Sequence, residues 1–338
     1  MNIRHNLSGQ PYNSFGIDVS LQTLIEIHDK EELFHLRALF KKQDVKVLGG
    51  GSNILLTADI AQPVLLVSNE GIEITKDAED YVLVQFAAGE IWTNAVDWAV
   101  RNGYGGIENL ALIPGKCGAA PMQNIGAYGV EIKDVLHAVF AFEKEESVEY
   151  ILHNSECGFG YRSSNFKSIW KDKFIITDIV LKLSKSGHHH IDTSYGAINN
   201  ALDAKGIQNP TIADVKDVVT EIRQSKLPDP QQIGNAGSFF KNPIITKETF
   251  QRLISEFPGM PSYPVDEHQV KIPAAWLIDQ CGWKGRVVGQ SGTYKNQALV
   301  IVNHGSATGA EVYQLSQEIL DSVYDKYLVK LEREVNVW

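Results

Sequence analysis

Three consecutive glycines, Gly49 to Gly51, separate two apolar runs in the stretch VKVLGGGSNILL, from Val45 to Leu56. The stretch is not a Walker A loop, because no Lys-Ser or Lys-Thr pair follows the glycines. It is not a Rossmann fingerprint either, since Ile54 stands where the third glycine of that pattern belongs. The residues after the glycines predict a short strand and a turn rather than an amphipathic helix. We therefore predict a strand, a glycine loop and a second strand.

Such a loop has two interpretations. Its successive backbone N–H groups can form a concave anion-binding site without a helix end, or it can be a tight turn that needs positive φ values. A second glycine-rich stretch, IPGKCGAAPMQNIGAYG from Ile113 to Gly129, is poor in charge and long for a surface connection. Its amides need partners and its small residues allow close approach of a flat or phosphorylated ligand. We interpret it as a ligand-binding loop, the alternative being a packed connection between strands.

Composition narrows the class of protein. The 338 residues are 43% hydrophobic and 21% charged, which predicts a soluble globular protein of two or three domains. The net charge of -10 argues against sequence-independent nucleic-acid binding. Three widely spaced cysteines predict no disulfide framework. No apolar run of about 18 residues and no signal-peptide pattern is present, so we expect a cytoplasmic protein without a membrane partner.

Hydrophobic periodicity predicts an α+β protein. Strands are expected at residues 16–27, on both sides of the glycine loop, and at YVLVQFAAG, HAVFAFEKEESVEYIL (a hairpin), KFIITDIVLKL, NQALVIVN and the closing LVKLEREVNVW. Helices are expected at DKEELFHLRALFKK with Asp29 as cap, at TNAVDWAVRNG with Thr93 as cap and Gly103 at its end, at IADVKDVVTEIRQ, at 247–257, and at 309–326 with a Thr308/Glu311 capping box.

Four further features carry candidate chemistry. Arg162, flanked by Gly and Ser residues, can present its guanidinium to a carboxylate or phosphate, although a surface ion pair is the commoner case. Ser238, in GNAGSFFKNP, can be a positioned proton donor or a turn serine. Glu334 can act in proton transfer if it reaches a dry cleft, and is otherwise solvated. Adjacent histidines at 188–190 face opposite sides of an extended chain, which disfavours a shared metal, and we predict no metal site.

The order of these motifs, rather than any one of them, resembles the UDP-N-acetylenolpyruvoylglucosamine reductase family, in the form that carries an extra tyrosine loop. The resemblance spans almost the whole chain. The motifs that carry it are NSFG, VLGGGSNILL, IPGKCGAAPMQNIGAYG, GYRSSNFK, KLPDP, GNAGSFFKNP, AAWLIDQCGWKG and LEREV.

The resemblance implies a vanillyl-alcohol-oxidase-type (PCMH-type) FAD-binding fold. Two α+β subdomains would hold FAD non-covalently, and a C-terminal α+β domain would bind the substrate. The implied divisions are 1–68 plus 329–338 for the first FAD-binding subdomain, 69–209 for the second, and 210–328 for the substrate domain. No histidine stands in a motif typical of a covalent flavin anchor.

The resemblance also implies the site residues. Those matching the FAD site are Gly49, Gly50, Gly51, Ser52, Asn53, Pro114, Gly115, Gly118, Ala119, Gln123, Asn124, Gly126 and Ala127. Those matching substrate contacts are Tyr128, Tyr161, Tyr195, Lys226, Asn242, Tyr263 and Gln297. Tyr195 corresponds to the tyrosine of the extra loop.

The implied reaction uses NADPH to reduce FAD, after which hydride passes to the vinyl methylene carbon of UDP-N-acetylglucosamine enolpyruvate. By resemblance, Ser238 gives the proton to the neighbouring carbon. Arg162 and Glu334 hold the carboxylate and stabilise the enolate-like intermediate, for which a protonated, neutral Glu334 is better suited than a carboxylate.

This chain departs from the family pattern at two positions. Arg333 replaces the proline of the common ending LEPEV, and Cys117 stands where a valine-like residue is usual. Arg333 should lie on the strand face opposite Glu334. Two other hypotheses are a different flavoenzyme of the same fold, which would lack the Arg162, Ser238 and Glu334 set, and a catalytically silent flavin- or nucleotide-binding module. We expect a monomer.

Overall fold

The computed structural model describes all residues of the chain, Met1 to Trp338. Its contacts group the chain into two compact units. Unit 1 consists of Met1–Leu7, Leu21–Gly51 and Ile60–Gln224, and unit 2 consists of Ser8–Ser20, Ser52–Asp59 and Ser225–Trp338. This grouping is no test of the three-part division implied by the resemblance, which stays a prediction.

The regular elements are short strands and mostly short helices. The strands are β1 (Asn2–Ser8), β2 (Ser20–Ile27), β3 (Lys46–Leu48), β4 (Ile54–Leu55), β5 (Val64–Val67), β6 (Ile72–Asp77), β7 (Tyr81–Ala87), β8 (Gly126–Ala127), β9 (Val130–Glu131), β10 (Leu136–Glu143), β11 (Val148–His153), β12 (Phe174–Ser184), β13 (Gly234–Ser238), β14 (Ile244–Thr246), β15 (Tyr263–Pro264), β16 (Gln269–Lys271), β17 (Val287–Val288), β18 (Ser291–Tyr294), β19 (Gln297–Asn303) and β20 (Asn336–Val337). The α-helices are α1 (Arg37–Phe40), α2 (Trp92–Arg101), α3 (Gly196–Ala204), α4 (Ile212–Lys226), α5 (Lys247–Glu256), α6 (Ala274–Gln280) and α7 (Gly309–Tyr327). No helix has the length and apolar content needed to cross a membrane.

Unit 1 is built on two sheets that share one apolar core. A four-stranded sheet has the order β1-β2-β5-β3, with β5 parallel to both β2 and β3. A five-stranded antiparallel sheet has the order β11-β10-β12-β7-β6, and its β10–β11 hairpin is the one predicted from the sequence. Both β5 and most of β12 are buried, as expected for strands covered on two faces. Strand β1 and helix α3 were not predicted, since the β1 sequence NIRHNLS is polar and exposed.

Two predicted helices need correction, the first in its type and the second in its cap. The segment after Asp29 is a 3-10 helix, Lys30–Leu36, followed only by the short α1. Asp29 does cap it, because its side chain accepts from the Glu31 N–H. A 3-10 helix places residues three apart on one line, which suits the buried pair Leu33 and Leu36. Thr93 is not a cap, since α2 already begins at Trp92 with no side-chain cap.

Unit 2 contains a four-stranded sheet in the order β13-β19-β18-β17, a three-stranded sheet in the order β14-β16-β15, and the pair β20 and β4. Helix α7 begins with the predicted capping box of Thr308 and Glu311. The closing stretch is wrongly predicted as one strand, because only β20 is regular and it runs parallel to β4. The apolar positions of the alternation, such as Val329 and Val335, are nevertheless buried. The residues between them bond to separate partners, which prevents one continuous ladder.

Candidate functional site

The two glycine-rich stretches lie against each other in unit 1. A Cβ built on Gly50 would stand 2.9 Å from the Cα of Gly115, and one on Gly49 would stand 3.5 Å from the Cβ of Ala119. Distances below about 3 Å to backbone atoms are not tolerated without a shift of the chain. Gly51 has a φ of +63°, which glycine adopts without the steric cost that other residues bear. The predicted strand–loop–strand arrangement, from β3 to β4, is confirmed.

The glycine loop also has donors without acceptors. The backbone N–H groups of Gly50 and Gly51 donate to no acceptor in the protein, although Gly51 is buried. Most buried backbone N–H groups in proteins are paired, so the unpaired donor of buried Gly51, next to the exposed N–H of Gly50, indicates that an external anion is accommodated. The close approach of Gly50 and Gly115 and these N–H groups together are suited to a bound anion. This observation favours the anion-binding interpretation over that of a simple tight turn.

The stretch after Gly115 is held in place by hydrogen bonds from its backbone N–H groups to carbonyls of a neighbouring segment. The N–H groups of Cys117 and Gly118 donate to the carbonyls of Glu90 and Ala88, and a Cβ on Gly118 would stand 2.5 Å from the Cβ of Ala88. Burial raises the pKa of the Cys117 thiol, which is fully enclosed and therefore unreactive. Cys117 is thus a small packing residue, as its place in the motif predicts. Glycine is required at position 118 because any Cβ there would collide with the Ala88 side chain.

Arg162 is anchored by the carbonyls of the same glycine-rich stretch. Its Nη2 donates to the Gly126 carbonyl over 2.5 Å, and its Nη1 donates to the Asn124 carbonyl over 3.3 Å. Glu131 lies 3.8 Å away, and the arginine side chain is only 19% exposed. The backbone of Arg162 has a φ of +50°, a conformation that costs a non-glycine residue about 1–3 kcal/mol. These contacts disfavour a simple surface ion pair and indicate a guanidinium in an imposed position.

The side chain of Asn124 forms hydrogen bonds with other residues of the protein. Its Nδ2 donates to Glu131 over 2.8 Å and to the Gly160 carbonyl over 3.0 Å, while its Oδ1 accepts from the Lys133 N–H. The residue is fully buried and has a φ of +49°. Asn124 therefore shapes the loop that carries Arg162. Its cofactor contact stays a prediction, and its side-chain amide is already engaged.

The predicted substrate tyrosines Tyr128 and Tyr195 are in contact. Their ring centroids are 5.2 Å apart at an interplanar angle of 89°, which is an edge-to-face pair. Tyr195 is 43% exposed and immediately precedes α3. Burial raises the pKa of the Tyr128 phenol, and the nearby positive charge of Arg223 opposes this shift. The pair presents one exposed and one partly buried phenol at the same place in unit 1.

Arg223 is a residue that the sequence analysis missed. It lies on α4, its Nε is buried without a hydrogen-bond partner, and desolvation lowers the pKa of its guanidinium. Tyr128 and Arg162 are the charged or polar groups that act on it electrostatically. The available signal was its position four residues after Val219, on the apolar stripe of an otherwise regular amphipathic helix. An arginine on the apolar stripe of a helix places a positive charge where apolar residues are expected, and its presence there needs an explanation.

Ser238 ends β13 in unit 2, at an irregular point of the sheet. The pairing with β19 shifts register between Asn235 and Ser238, and Gly237 has a φ of +68°. The Asn235 side chain stabilises this irregularity, because its Oδ1 accepts from the Gly237 N–H while its Nδ2 donates to the Ile233 carbonyl. Irregularities of this kind re-aim the next side chain. The backbone that carries Ser238 is therefore defined by hydrogen bonds of the neighbouring residues.

Glu334 is joined to the segment that follows Ser238. Its N–H donates to the Phe239 carbonyl over 2.8 Å, and its own carbonyl lies 3.4 Å from the Nδ2 of Asn53. Asn336 also donates to the Asn53 carbonyl, from both its backbone and its side chain. Within unit 2, Glu334 is thus joined to the residue next to Ser238 by a backbone hydrogen bond and to Asn53 by the Asn53 side chain.

The other predicted substrate residues of unit 2 differ in their surroundings. Lys226 is exposed at the end of α4, and Tyr263 is 52% exposed on β15. The Asn242 Oδ1 accepts from the Ala274 N–H at the start of α6, and the Gln297 Oε1 accepts from the Leu299 N–H. Lys226 and Tyr263 are accessible to a ligand.

Comparison with known families identifies two matching models. Residues 21–145 match the FAD binding domain, and residues 229–338 match the UDP-N-acetylenolpyruvoylglucosamine reductase C-terminal domain. The first region contains both halves of the paired glycine stretches, and the second contains Ser238 and Glu334. An FAD-binding fold, as the motif order predicts, is thereby confirmed.

Full-length relatives carry the same name. The chain is 47% identical over 337 residues to UDP-N-acetylenolpyruvoylglucosamine reductase from Flavobacterium johnsoniae, covering 100% of both proteins. It is 43% identical over 340 residues to the reductase of that name from Pseudomonas aeruginosa, covering 100% of this chain and 99% of the relative. Among solved structures, the UDP-N-acetylenolpyruvylglucosamine reductase from Thermus caldophilus is similar in fold, with a TM-score of 0.67 and 24% identity over 100% of this chain and 99% of that one.

Proposed function

Since the chain belongs to the UDP-N-acetylenolpyruvoylglucosamine reductase family and is an FAD-containing oxidoreductase, we propose that it reduces UDP-N-acetylglucosamine enolpyruvate to UDP-N-acetylmuramate with NADPH as the reductant. The observation that carries this proposal is the end-to-end similarity to reductases of that name, at 47% identity, in a chain that has Arg162, Ser238 and Glu334 in the motifs that carry the resemblance. The product is a precursor of peptidoglycan.

The proposed cofactor site begins with the glycine loop. When bound, FAD would supply hydride transfer between NADPH and the vinyl methylene carbon of the substrate. The N–H groups of Gly50 and Gly51 bind the FAD diphosphate without a covalent link, and Gly115 permits the close approach of the second stretch. The other predicted FAD residues of unit 1, including Gln123 and Ala127, belong to the same proposed site.

Ser238 is the proposed proton donor. Hydride addition at the methylene carbon makes it a methyl group and leaves negative charge on the neighbouring carbon, which must then receive a proton. The backbone around Ser238 is fixed by Gly237 and Asn235, which supports a hydroxyl held in one position. Positioned proton transfer of this kind contributes roughly 10²–10⁴-fold to a rate.

Arg162 and Glu334 are the proposed partners of the developing charge. The guanidinium of Arg162 donates to a substrate carboxylate, and its attachment to the Gly126 carbonyl keeps it oriented before the substrate arrives. Glu334, in its neutral form, donates a hydrogen bond to the oxygen that gains charge. Each such preorganised donor is worth about 3–4 kcal/mol of transition-state stabilisation.

Residues of each unit are proposed to contact the nucleotide and the sugar of the substrate. In unit 1 these are Tyr128, Tyr161 and Tyr195, of which the first and last form the aromatic pair described above. In unit 2 they are Lys226, Asn242, Tyr263 and Gln297. A monomeric state and a cytoplasmic location remain predictions, and light scattering of the purified protein tests the first.

An anaerobic titration tests the proposed function. The purified protein is expected to show a yellow flavin spectrum that NADPH bleaches and that added UDP-N-acetylglucosamine enolpyruvate restores. Bleaching by NADPH without restoration by this substrate would refute the substrate assignment. A protein that keeps its flavin but is not bleached by NADPH would instead support a silent flavin-binding module.

A further inference from the structure

Asn109 joins two segments that are distant in sequence. It lies in the 3-10 turn Glu108–Leu110 and is 1% exposed. Its Nδ2 donates to the Tyr128 carbonyl over 3.1 Å and to the Asp192 carbonyl over 2.9 Å. A side-chain amide nitrogen has two hydrogens, so both are used, each on a different segment.

The first segment needs such support. Tyr128 has a φ of +50°, a conformation that is unfavourable for a bulky residue, and Gly129 follows with a φ of +91°. A Cβ on Gly129 would stand 2.9 Å from the Asp192 carboxylate. The chain at Tyr128 is therefore both strained and packed directly against the second segment. A hydrogen bond to the Tyr128 carbonyl fixes the peptide that sets the direction of the ring.

The second segment, residues 188–195, has no regular secondary structure. The Ser194 N–H donates to the Asp192 side chain within the segment, and the His189 Nδ1 lies 2.9 Å from the Ser184 hydroxyl of β12. The segment ends at Tyr195, whose ring packs edge-to-face on Tyr128. The bond from Asn109 to the Asp192 carbonyl connects this irregular segment to the body of unit 1. One amide thus attaches the backbones on both sides of the aromatic pair.

We propose that Asn109 is a positioning residue that sets the geometry of the Tyr128–Tyr195 pair for binding the sugar nucleotide. This inference rests on the proposed function, in which both tyrosines contact the substrate. Asn109 itself touches neither the substrate nor the cofactor in this proposal. It acts by holding two backbones at a fixed separation, so that the phenols are preorganised before binding.

The test compares Asn109→Leu with Asn109→Ser in the FAD-loaded, full-length protein. Leucine is close to asparagine in shape and donates no hydrogen bond, whereas serine has one donor and can serve only one of the two carbonyls. Asn102→Leu is the matched control, because the Nδ2 of Asn102 also donates to a backbone carbonyl, that of Trp98, at the exposed end of α2. Amide hydrogen exchange and steady-state kinetics are measured for each variant.

We expect Asn109→Leu to accelerate exchange at residues 126–130 and 188–195 and to raise the KM for UDP-N-acetylglucosamine enolpyruvate about tenfold, with a much smaller change in kcat. The serine variant should fall between it and the native protein, and the control should match the native protein. Unchanged exchange in both segments, or faster exchange with an unchanged KM, overturns the proposal. If the leucine variant does not fold, the serine variant is judged by the same criteria. If the native protein does not use this substrate, the proposed function fails. The exchange data then show independently whether Asn109 holds the two backbone segments in place.

Discussion

The backbone N–H of Glu334 donates a hydrogen bond to the carbonyl of Phe239, the residue next to Ser238, over 2.8 Å. Phe239 is fully buried and packs edge-to-face on Phe15, so the acceptor of this bond belongs to a residue anchored in the core. The C-terminal segment is therefore fastened beside the segment that carries the proposed proton donor. This arrangement allows two proposed catalytic residues to be tested separately without disturbing the backbone that joins them.

Replacing Ser238 by alanine should slow the oxidative half-reaction and leave the reductive one intact. The hydroxyl is proposed to deliver the proton, and its loss should lower the rate of flavin reoxidation by the substrate by roughly 10²–10⁴-fold. Stopped-flow absorbance measures reduction by NADPH and reoxidation by the substrate in the same variant. Ser291→Ala, in which a buried serine of the same sheet loses a hydroxyl, is the control. Equal loss in both half-reactions of Ser238→Ala would refute the assignment.

Glu334 should tolerate glutamine better than alanine. Glutamine retains a neutral hydrogen-bond donor at the place of the proposed neutral carboxyl, whereas alanine removes it and should lower the rate of reoxidation by about 10²-fold or more. Single-turnover reoxidation of the two variants gives the comparison. Glu332→Gln is the matched control, since this exposed side chain pairs only with Lys241 at 3.1 Å and should leave the rate unchanged. A glutamine variant as slow as the alanine variant contradicts the proposed neutral donor.

Gly50→Ala should weaken FAD binding. The added Cβ would lie 2.9 Å from the Gly115 backbone, so one of the two glycine stretches must move and the N–H groups of Gly50 and Gly51 lose their alignment. We expect at least about a tenfold rise in the dissociation constant of FAD, measured by titration of the deflavinated protein. Gly196→Ala adds a Cβ that meets no atom within 4 Å and serves as control. Unaltered FAD affinity in Gly50→Ala would mean that the loop is only a turn.

Arg333 should contribute to stability rather than to catalysis. Its Nε donates to the Ser316 hydroxyl over 2.8 Å, its Nη2 donates to Gln317 over 2.9 Å, and its guanidinium stacks on the Tyr313 ring. These contacts attach the C-terminal segment to α7. Arg333→Ala should lower the free energy of unfolding by about 1–3 kcal/mol, as read from urea denaturation, and leave turnover within about twofold. A large loss of turnover with native stability would show that the side chain serves the reaction.

The local sequence was sufficient to predict those elements whose sequence pattern is contained within a few consecutive residues. The apolar spacing of α4 and the Thr308/Glu311 box of α7 each predicted the observed helix, because their stabilising contacts are made within one or two turns. The glycine loop was predicted between two strands, since the absence of helical periodicity after Gly51 excluded the helix-linked alternatives. The motif order identified the family, and the comparisons confirmed it.

The secondary-structure predictions were wrong where contacts with distant parts of the chain decide the local conformation. The segment after Asp29 has apolar residues compatible with both α and 3-10 geometry, and packing of Leu33 and Leu36 selected the tighter helix. The closing stretch has a strand pattern, but a strand requires a continuous row of acceptors beside it. Here its residues find a short parallel partner in β4 and isolated acceptors elsewhere.

The sequence by itself thus determined the family and supplied the candidate site residues, because residue type and motif order are written in it directly. Only the tertiary structure decided how those residues are held. The amide of Asn109 bonds Tyr128 and Asp192, which are far apart in the chain, and Arg223 on α4 interacts electrostatically with Tyr128. A hydrogen bond of this kind depends on the position of both partners after folding, and no local pattern around either residue specifies the other.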